Sequence, residues 1–251
     1  MKPAFAGALL VLGLSVSVLA CADWSVFGDL EHFRWREETS PSVTETGPML
    51  GLGLRWRQER PAGFGLGFES RVYGGSVDYD GSLLFSGTPI TGTTQYGGWR
   101  NELQANYRFP GSPGELVLGL GYDYWNRQLT FEQHEEYSVA YLRLGFDVDR
   151  REPGAWFGGG GFKYPFSVDE NAHFPDLGFT PNPRLKPKGE ASLYAELGYR
   201  FAPAWSLAGY YEGYRFGESG DVLVSDGTST SAFFQPKSSL DSFGLRLRYS
   251  F

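Results

Sequence analysis

Cysteine and histidine are scarce in this chain of 251 residues, which contains one cysteine, Cys21, and three histidines. A single cysteine leaves no intramolecular disulfide to stabilise the fold. No complete set of metal ligands stands at a characteristic spacing. We therefore expect neither a bound metal nor a cofactor.

Long apolar segments are absent beyond residue 22, so the sequence predicts no membrane-spanning helix. Residues 4–20 are an unbroken run of apolar and small residues, and Ala20-Cys21-Ala22 has the small residues typical of signal-peptide cleavage. We interpret residues 1–22 as a signal peptide and residues 23–251 as a single domain. In the alternative, a lipoprotein, Cys21 is retained and acylated.

Positive charge is in deficit, because 22 Lys and Arg against 29 Asp and Glu give a formal net charge of −7. This balance argues against nucleic acid as a partner. Aromatic residues, by contrast, make up 17% of the chain, and glycine accounts for 35 residues. A negative mean hydropathy with so many aromatics is unusual for a soluble core. It is expected if apolar and polar residues alternate.

Strict alternation is what the chain shows after the first 22 residues. Residues 49–57 (MLGLGLRWR) put leucines and a tryptophan on one face of a strand, and glycines and arginines on the other. This period of two is typical of β-strands that separate two different environments. Ten such segments are present, and the first, near residues 24–35, is the weakest.

The segments between these strands alternate in length. This parity is expected of an up-and-down antiparallel β-barrel with short periplasmic turns and long outer loops. We predict an all-β transmembrane barrel of ten strands with five long outer loops. A barrel of eight strands is the alternative, because the first strand need not pair fully with the last. A soluble sandwich fits less well, since it would bury its apolar face. Short turns are predicted at 60–63, 110–114, 149–154 and 202–204, and long polar loops at 38–48, 75–97, 128–136, 165–189 and 217–237.

The last residues, LRLRYSF, resemble the C-terminal signature of Gram-negative outer-membrane proteins, with a final Phe and apolar or aromatic residues at alternating positions before it. The resemblance implies a protein of the bacterial outer membrane that the barrel-assembly machinery recognises during biogenesis. Outer-membrane lipid and lipopolysaccharide would surround it, and we expect a monomer. The residues that carry this assembly signal are Phe251, Tyr249, Leu247 and Leu245.

Charged residues of both signs occupy the face that would line the barrel lumen. Charges are tolerated in a narrow lumen only if they pair, hydrogen-bond or meet water. Small barrels are filled by side chains, whereas wide aqueous channels need about sixteen strands. We therefore predict a mostly plugged, salt-bridged lumen, with a narrow pore for small solutes or ions as the alternative. The predicted network comprises Arg55, Arg57, Glu69, Arg71, Arg100, Glu102, Arg143, Glu196, Arg200, Glu212, Arg246 and Arg248.

Ten strands also make the barrel similar in size to the omptins, surface proteases with an aspartate pair and an Asp-His pair that activate a water at the rim. Asp78 and Asp80, at the outer end of the third strand, resemble the aspartate pair. No histidine directly follows an aspartate, so the second pair is not found. We expect no enzyme. If the chain is an omptin-type endopeptidase, its catalytic residues are Asp78, Asp80 and His173.

The direction of Asp78 and Asp80 matters for this alternative. Counted from Phe64, both residues have the parity of the lipid-facing positions. They lie about 20 Å beyond Val72, at roughly 3.3 Å per residue, and therefore above the hydrocarbon. Only a bulge at Gly74-Gly75 would turn them into the barrel mouth. Calcium binding by the pair is a further alternative, for which the ligand spacing is incomplete.

The predicted role is structural or binding: envelope integrity, or surface attachment and recognition of an extracellular ligand by the outer loops. A lipid-modifying barrel enzyme would need a Ser/His pair. His32 is the only histidine in a predicted strand, and we expect it in an aromatic girdle or packed in the lumen. The loop at 165–189 is rich in proline and aromatics, so we expect it to fold over the barrel mouth.

Overall fold

The computed structural model describes residues 22–58, 60–82, 87–129, 133–150 and 152–251, most of which form antiparallel strands. Apart from Ala22, the predicted signal peptide lies outside the described residues, and so does Cys21. Among the described residues, no helix is long and apolar enough to cross a membrane. The strands are β1 (Ala22–Glu37), β2 (Val43–Gln58), β3 (Gly63–Ser82), β4 (Pro89–Arg108), β5 (Gly114–Gln128), β6 (His134–Val148), β7 (Trp156–Asn171), β8 (Lys188–Glu190), β9 (Ser192–Arg200), β10 (Trp205–Gly217), β11 (Val222–Ser225), β12 (Thr230–Phe233) and β13 (Ser238–Ser250).

Ten strands close into one antiparallel barrel. β8 and β9 both pair with β10 and act as one interrupted strand, and β13 pairs with both β10 and β1. The closing pair runs without a shift from Ser25↔Ser250 to Glu37↔Ser238. The prediction of ten strands is therefore confirmed, and eight is excluded, because the first strand pairs with the last along most of its length. β11 and β12 form a separate hairpin.

The half of the barrel nearest the short turns has an apolar outer surface, which we call the belt. On β3 the belt runs from Phe64 to Val72, close to the ~9–11 residues with which a tilted strand crosses a bilayer. Side chains alternate across each strand, so the neighbouring polar residues point into the lumen. The belt is thus the membrane-spanning part of the barrel. Its larger exposed residues include Trp24, Val26, Leu30, Leu50, Leu52, Leu54, Phe64, Leu66, Val72, Trp99, Leu103, Leu116, Leu118, Leu120, Leu142, Leu144, Phe146, Trp156, Phe162, Leu193, Leu197, Leu207, Phe243, Leu245 and Leu247.

Beyond the belt the alternation keeps its period and reverses its polarity. Val77 and Tyr79 point inward and are buried, whereas Asp78 and Asp80 point outward and are exposed. Past the bilayer the outer wall faces water, so the barrel interior becomes the side on which apolar surface is buried. We call this water-exposed part, on the side of the long loops, the upper barrel.

The upper barrel consists largely of residues that the sequence predicts as loops. β3 continues to Ser82 and β4 begins at Pro89, so most of the predicted loop 75–97 is a pair of strands. β2 begins at Val43 and β7 extends to Asn171, which shortens two more predicted loops. These loop boundaries are wrong because a strand with a polar outer face was not expected above the membrane. Short and long connections still alternate along the chain.

The register of β3 and β4 is continuous from Gly63↔Arg108 to Ser82↔Pro89, so no bulge occurs at Gly74-Gly75. Asp78 and Asp80 therefore point outward, as their parity predicts. A register shift lies instead between β6 and β7. There Ala140 faces Ser167 and Tyr141 faces Pro165, with one extra residue on β7, the signature of a β-bulge.

Aromatic side chains fill the interior of the upper barrel, and we call them the aromatic cluster. Trp125 and Tyr137 stack with ring centroids 5.0 Å apart, and Tyr137 lies 5.5 Å from Trp35. All three are fully buried. Packing of this kind leaves few voids large enough for water. The remaining members are Phe33, Met49, Val77, Tyr96, Val139, Tyr141, Val168, Tyr214 and Phe216.

Two segments pack together over the barrel mouth, and we call them the lid: residues 172–187 and the β11–β12 hairpin. Phe233 of the hairpin contacts Phe174 and Phe179, with ring centroids 5.1 and 5.5 Å apart. A backbone bridge between Thr180 and Ser225 joins the two segments. The predicted folding of the 165–189 region over the mouth is what the structure shows for residues 172–187.

Candidate functional site

The predicted lumen residues lie on the inner face of the barrel, and all but Arg55 take part in ion pairs there. Arg55 lines a small cavity of about 90 Å³ at the short-turn end. The paired residues are Arg57, Glu69, Arg71, Arg100, Glu102, Arg143, Glu196, Arg200, Glu212, Arg246 and Arg248.

The seam where the barrel closes carries a buried part of this network. Arg246 donates to both carboxylate oxygens of Asp29, at 2.8 and 2.9 Å. Arg71 pairs with the same carboxylate at 2.9 Å and with Glu31 at 3.0 Å. Asp29 and Glu31 are not in the predicted network, because the weak alternation of the first strand conceals its inner face. Counting back from Leu30, which belongs to the belt, would have placed both in the lumen.

Lys163 occupies the middle of the lumen and has no exposed surface. Its ammonium lies 2.5 Å from a Glu212 oxygen and 3.5 and 4.2 Å from the ring centroids of Tyr214 and Tyr141. Arg100 pairs with the same glutamate. A lysine held by a carboxylate and two aromatic faces fills the lumen rather than offering a free cation to passing solutes.

The aromatic cluster lies on the loop side of this ionic centre. The cavities formed by the described residues include the one of about 90 Å³ at the short-turn end and one of about 370 Å³ at the loop end, which we call the mouth cavity. These two cavities share no lining residue. The interior also holds the fully buried side chain of Lys163 and the buried residues of the aromatic cluster.

The mouth cavity lies between the upper barrel and the lid. Its volume falls in the range of about 300–1,000 Å³ that small-molecule sites occupy. The lid side of the cavity is apolar, and Val43 and Tyr79 contribute from the barrel wall. The apolar lid residues are Ala172, Phe174, Leu177, Leu185 and Phe233, and Phe234 follows directly after the lid.

Arg127 and three glutamates, Glu37, Glu135 and Glu170, line the floor of the mouth cavity, and Glu45 binds Arg127 without lining the cavity; we call these five residues the Arg127 cluster. Arg127 donates to both oxygens of Glu45 and reaches Glu135 at 2.6 Å and Glu37 at 3.1 Å. Glu170 is the fourth carboxylate. It is 1% exposed, and its Oε2 has no hydrogen-bond partner among the described residues. One guanidinium therefore faces four carboxylates.

The electrostatics of this floor, beyond the belt, follow from burial and crowding. Burial raises the pKa of Glu170 well above its usual value, and the carboxylates of Glu135 and Glu37 raise it further. Burial also raises the pKa of Glu135, against the opposing effect of Arg127. Burial disfavours the charged form of Arg127, but Glu135, Glu45 and Glu37 together hold its pKa well above the usual value. The guanidinium stays charged, and Glu170 is the group that resists ionisation.

The residues predicted for an omptin-type site do not converge. Asp78 and Asp80 are on the outer face of β3, and three wall strands separate β3 from β7, which precedes His173. His173 has other neighbours: its Nδ1 lies 3.8 Å from Asp176 and its Nε2 lies 3.2 Å from Glu136. No carboxylate pair on β3 shares a water-sized site with this imidazole among the described residues.

His134 and His173 stack at the base of the lid, with ring centroids 3.7 Å apart and planes tilted by 32°. One nitrogen of each ring and one oxygen of Asp176 lie within 4.8 Å of one another. An imidazole binds a metal in its own ring plane, so two stacked rings share an ion only after one of them rotates. As it stands the arrangement is a polar contact between β6 and the lid. His32, the third histidine, is exposed on the outer face of β1.

The predicted assembly-signal residues lie on the outer surface of β13. Phe251, Leu247 and Leu245 are exposed, and Tyr249 packs on Trp205 with ring centroids 4.9 Å apart. The backbone N–H of Phe251 donates to the carbonyl of Trp24 at 2.9 Å. The C-terminal residue thus ends the closing strand at the short-turn end.

The Arg127 cluster is the part of the candidate site that the sequence prediction lacks. Its members lie beyond the belt, in segments predicted as loops or at their edges. A signal was present, because Asp123, Trp125 and Arg127 share the inner parity of β5. Following that parity past the last belt residue, Tyr124, would have placed the arginine inside the barrel.

These features define a closed ten-stranded antiparallel membrane barrel with a filled lumen and a lid-covered mouth cavity. No protein-family model matches the chain, and no curated protein matches its sequence. Solved structures that resemble it include the outer membrane protease OmpT from Escherichia coli, with 14% identity over 92% of this chain and 96% of that one and a TM-score of 0.48. The transport unit of the autotransporter AIDA-I from Escherichia coli has 10% identity over 96% and 94%, with a TM-score of 0.45.

The translocator domain of the autotransporter NalP from Neisseria meningitidis is also similar, with 12% identity over 91% of this chain and 88% of that one and a TM-score of 0.43. At these identities and TM-scores, the likeness carries no argument about activity. The fold assignment rests on the strand pairing and the belt of this chain itself.

Proposed function

We propose that this chain is a bacterial outer-membrane barrel that is closed to solutes and serves as a surface binding protein, with the mouth cavity as its ligand site. The observation that carries the proposal is a filled lumen beneath a lid-covered cavity of about 370 Å³. A channel needs a continuous path with charged groups at a constriction. Here paired charges and aromatic rings occupy that path.

The membrane setting of the proposal rests on the belt and on the C-terminal residues. The belt would contact outer-membrane lipid, and the exposed upper barrel and lid would meet lipopolysaccharide and the medium. The barrel-assembly machinery would recognise Phe251 and the alternating residues before it. A closed barrel leaves no unpaired sheet edge, so the chain can act as a monomer.

Single-channel recording in planar bilayers tests the closed lumen. The purified full-length protein is expected to give no conductance steps, while a sixteen-stranded porin reconstituted in the same way gives large ones. Stable small steps from the purified protein would favour the narrow pore instead.

Cysteine labelling on intact cells tests the orientation. In a Cys21→Ser background, Thr93→Cys places a thiol on the exposed outer face of the upper barrel, and Glu152→Cys places one in an exposed short turn. A membrane-impermeant maleimide is expected to label Thr93→Cys on intact cells and Glu152→Cys only after lysis. The reverse pattern would invert the barrel in the membrane and remove the mouth cavity from the cell surface.

The proposal includes no enzymatic activity. Peptide-bond hydrolysis of the omptin type needs carboxylates and an imidazole around one water, and Asp78, Asp80 and His173 lie on separate parts of the barrel. The protein in lipid is expected to leave a mixed peptide library intact. Cleavage that disappears in Asp78→Asn or His173→Asn would replace the binding role with a protease.

A further inference from the structure

We infer that the mouth cavity binds a small organic cation: a ligand with a protonated amine and an apolar, preferably aromatic, body. This inference rests on the proposed function in one respect, because it assigns a ligand class to the same cavity. It adds the chemistry that would recognise the ligand, which neither the fold nor its structural relatives indicate.

The apolar half of the site is the lid. Phe174, Leu185 and Phe233 present ring and aliphatic surface to the cavity. The cavity volume of about 370 Å³ accommodates a bicyclic ring with a short side chain. Burial of such a ring would contribute binding free energy roughly in proportion to the apolar area removed from water. The lid thus favours a ligand with an aromatic or aliphatic body.

The charged half is the Arg127 cluster on the opposite side. Arg127 already has three carboxylate partners, because it donates to Glu45 and Glu135 and forms an ion pair with Glu37 at 3.1 Å. Glu170 lines the same cavity, and its Oε2 lacks a hydrogen-bond donor among the described residues. A buried carboxylate oxygen without a donor is costly, and a ligand ammonium that donates to it removes that cost.

The balance of charge selects a cation over an anion or a neutral group. Four carboxyl groups surround one guanidinium, and even with Glu170 protonated the remaining three outnumber it, so an incoming anion would add like charge to a buried site. A neutral hydroxyl could donate to Glu170 without compensating the excess negative charge. An ammonium does both, and charge-assisted hydrogen bonds are about twice as strong as neutral ones.

An organic cation also fits better than a bare metal ion. Glu45 is fully engaged by Arg127, Thr94 and Tyr96, so it has little capacity left for a metal. The wall facing the carboxylates is apolar, whereas a hard cation such as calcium needs about six to eight oxygen ligands around it. The cavity therefore offers an anionic point on one side and an apolar surface on the other.

Isothermal titration in lipid nanodiscs with three ligands of nearly the same shape tests the inference. Tryptamine, tryptophol and indole-3-propionate carry an amine, a hydroxyl and a carboxylate on similar indole bodies. Tryptamine is expected to bind one per barrel and at least about tenfold more tightly than tryptophol. Indole-3-propionate is expected not to bind. Titration into empty nanodiscs corrects for partition into lipid.

Two variants locate the site. Glu170→Gln keeps the shape and removes the ionisable carboxyl group with which the ligand ammonium would pair, and it is expected to weaken tryptamine binding at least about tenfold. Asp78→Asn removes an acid from the outer face of the upper barrel and is expected to leave the affinity unchanged. Leu177→Trp, which fills part of the cavity, is expected to weaken tryptamine with Glu170 intact. Circular dichroism establishes that each variant is folded.

Equal affinities for the three ligands would overturn the inference, and so would unchanged tryptamine binding in folded Glu170→Gln or no saturable tryptamine binding at all. The closed lumen is tested by a different experiment, the conductance recording. Conductance steps would refute the proposed function whatever binds in the cavity, whereas absent amine binding in a non-conducting barrel would refute the ligand class alone.

Discussion

Lys163 shows at the scale of one residue how the lumen is filled. A fully buried ammonium is acceptable here because a carboxylate and two tyrosine faces replace its hydration. Glu212 pairs with Lys163 and also with Arg100, its second cationic partner. Removal of one member therefore leaves the others with uncompensated charge.

Lys163→Met is expected to lower the free energy of unfolding by about 3 kcal/mol, the lower end of the range for breaking a buried ion pair, since Arg100 still pairs with Glu212. Urea unfolding in lipid vesicles measures the change. The double variant Lys163→Met/Glu212→Gln is expected to lose less than the sum of the single losses, because it removes both charges. Lys237→Met, which breaks an exposed pair with Glu38 at 3.7 Å, is expected to change the free energy by less than about 0.5 kcal/mol. Strict additivity in the double variant would contradict the pairing.

Glu170 gives a pH dependence with a defined sign. Burial, together with Glu135 and Glu37, raises its pKa in the folded state, so the folded chain binds its proton at pH values where the unfolded chain has released it. The stability that Glu170 contributes is thus present at low pH and is lost as pH rises above about 4.5, by up to about 1.4 kcal/mol per pH unit.

Glu170→Gln removes this titration. Between pH 4 and 8, the free energy of unfolding of the wild type is expected to fall relative to that of Glu170→Gln, so the variant gains in relative stability towards neutral pH. Urea titrations at several pH values on both proteins measure the difference, in which the other titrating groups largely cancel. Parallel pH profiles would show that Glu170 ionises as it does in water.

At the scale of the strand, the continuous pairing of β3 with β4 passes through two different environments. Within the belt, β3 shows apolar residues to the outside and polar residues to the lumen. A few residues further on, Asp78 and Asp80 face outward and Val77 and Tyr79 face inward. The backbone needs no bulge for this change, because only the solvent around the strand changes.

The interrupted strand β8–β9 depends on a close backbone approach. A Cβ at Gly189 would overlap the carbonyl of Pro165 on β7, and Gly189 pairs with Phe216 on β10. Gly189→Ala is therefore expected to destabilise the barrel by about 1–3 kcal/mol, as overpacking does. Urea unfolding in vesicles measures it. Gly209→Ala, on the outer face of β10 where a Cβ meets nothing within 4 Å, is expected to stay within about 0.5 kcal/mol of the wild type.

At the scale of the whole molecule, assembly and stability depend on different surfaces. Phe251 is 75% exposed, makes one terminal backbone bond and contacts the ring of its neighbour Tyr249 on the outer surface, so its ring contributes little to packing in the barrel interior. If the assembly machinery recognises it, Phe251→Ala is expected to reduce the amount of folded barrel in the membrane of cells several-fold while the refolded protein keeps its stability.

Heat-modifiability on gels of membrane fractions measures the folded barrel in cells, and urea unfolding measures the refolded protein. Phe243→Ala is the matched control, since Phe243 is exposed on the same face of β13 but lies upstream of the signature. It is expected to assemble normally. An equal defect in both variants would indicate a general effect of losing an outward aromatic side chain.

The sequence predicted the wall of the barrel well and its upper end poorly. The two-residue alternation within each strand predicts the ten strands and the belt. It also predicts the inner position of residues such as Arg71 and Arg246. The Arg127 cluster does not, because the rule that apolar residues face outward holds only where lipid surrounds the strand. Above the membrane the same rule predicts loops where β3 and β4 continue.

Local features were readable from the sequence: the period of two, the number of strands, and the two faces of each strand within the belt. Alternation is a property of neighbouring residues, so it is readable without knowing which strands meet. The contacts between inner side chains, by contrast, depend on the three-dimensional fold. Arg246 and Asp29 are 217 positions apart, and closure of β13 onto β1 brings them together. The same closure, with the lid, encloses the mouth cavity and leaves the Oε2 atom of Glu170 without a donor among the described residues, because partners across a barrel are set by strand register and not by spacing along the chain.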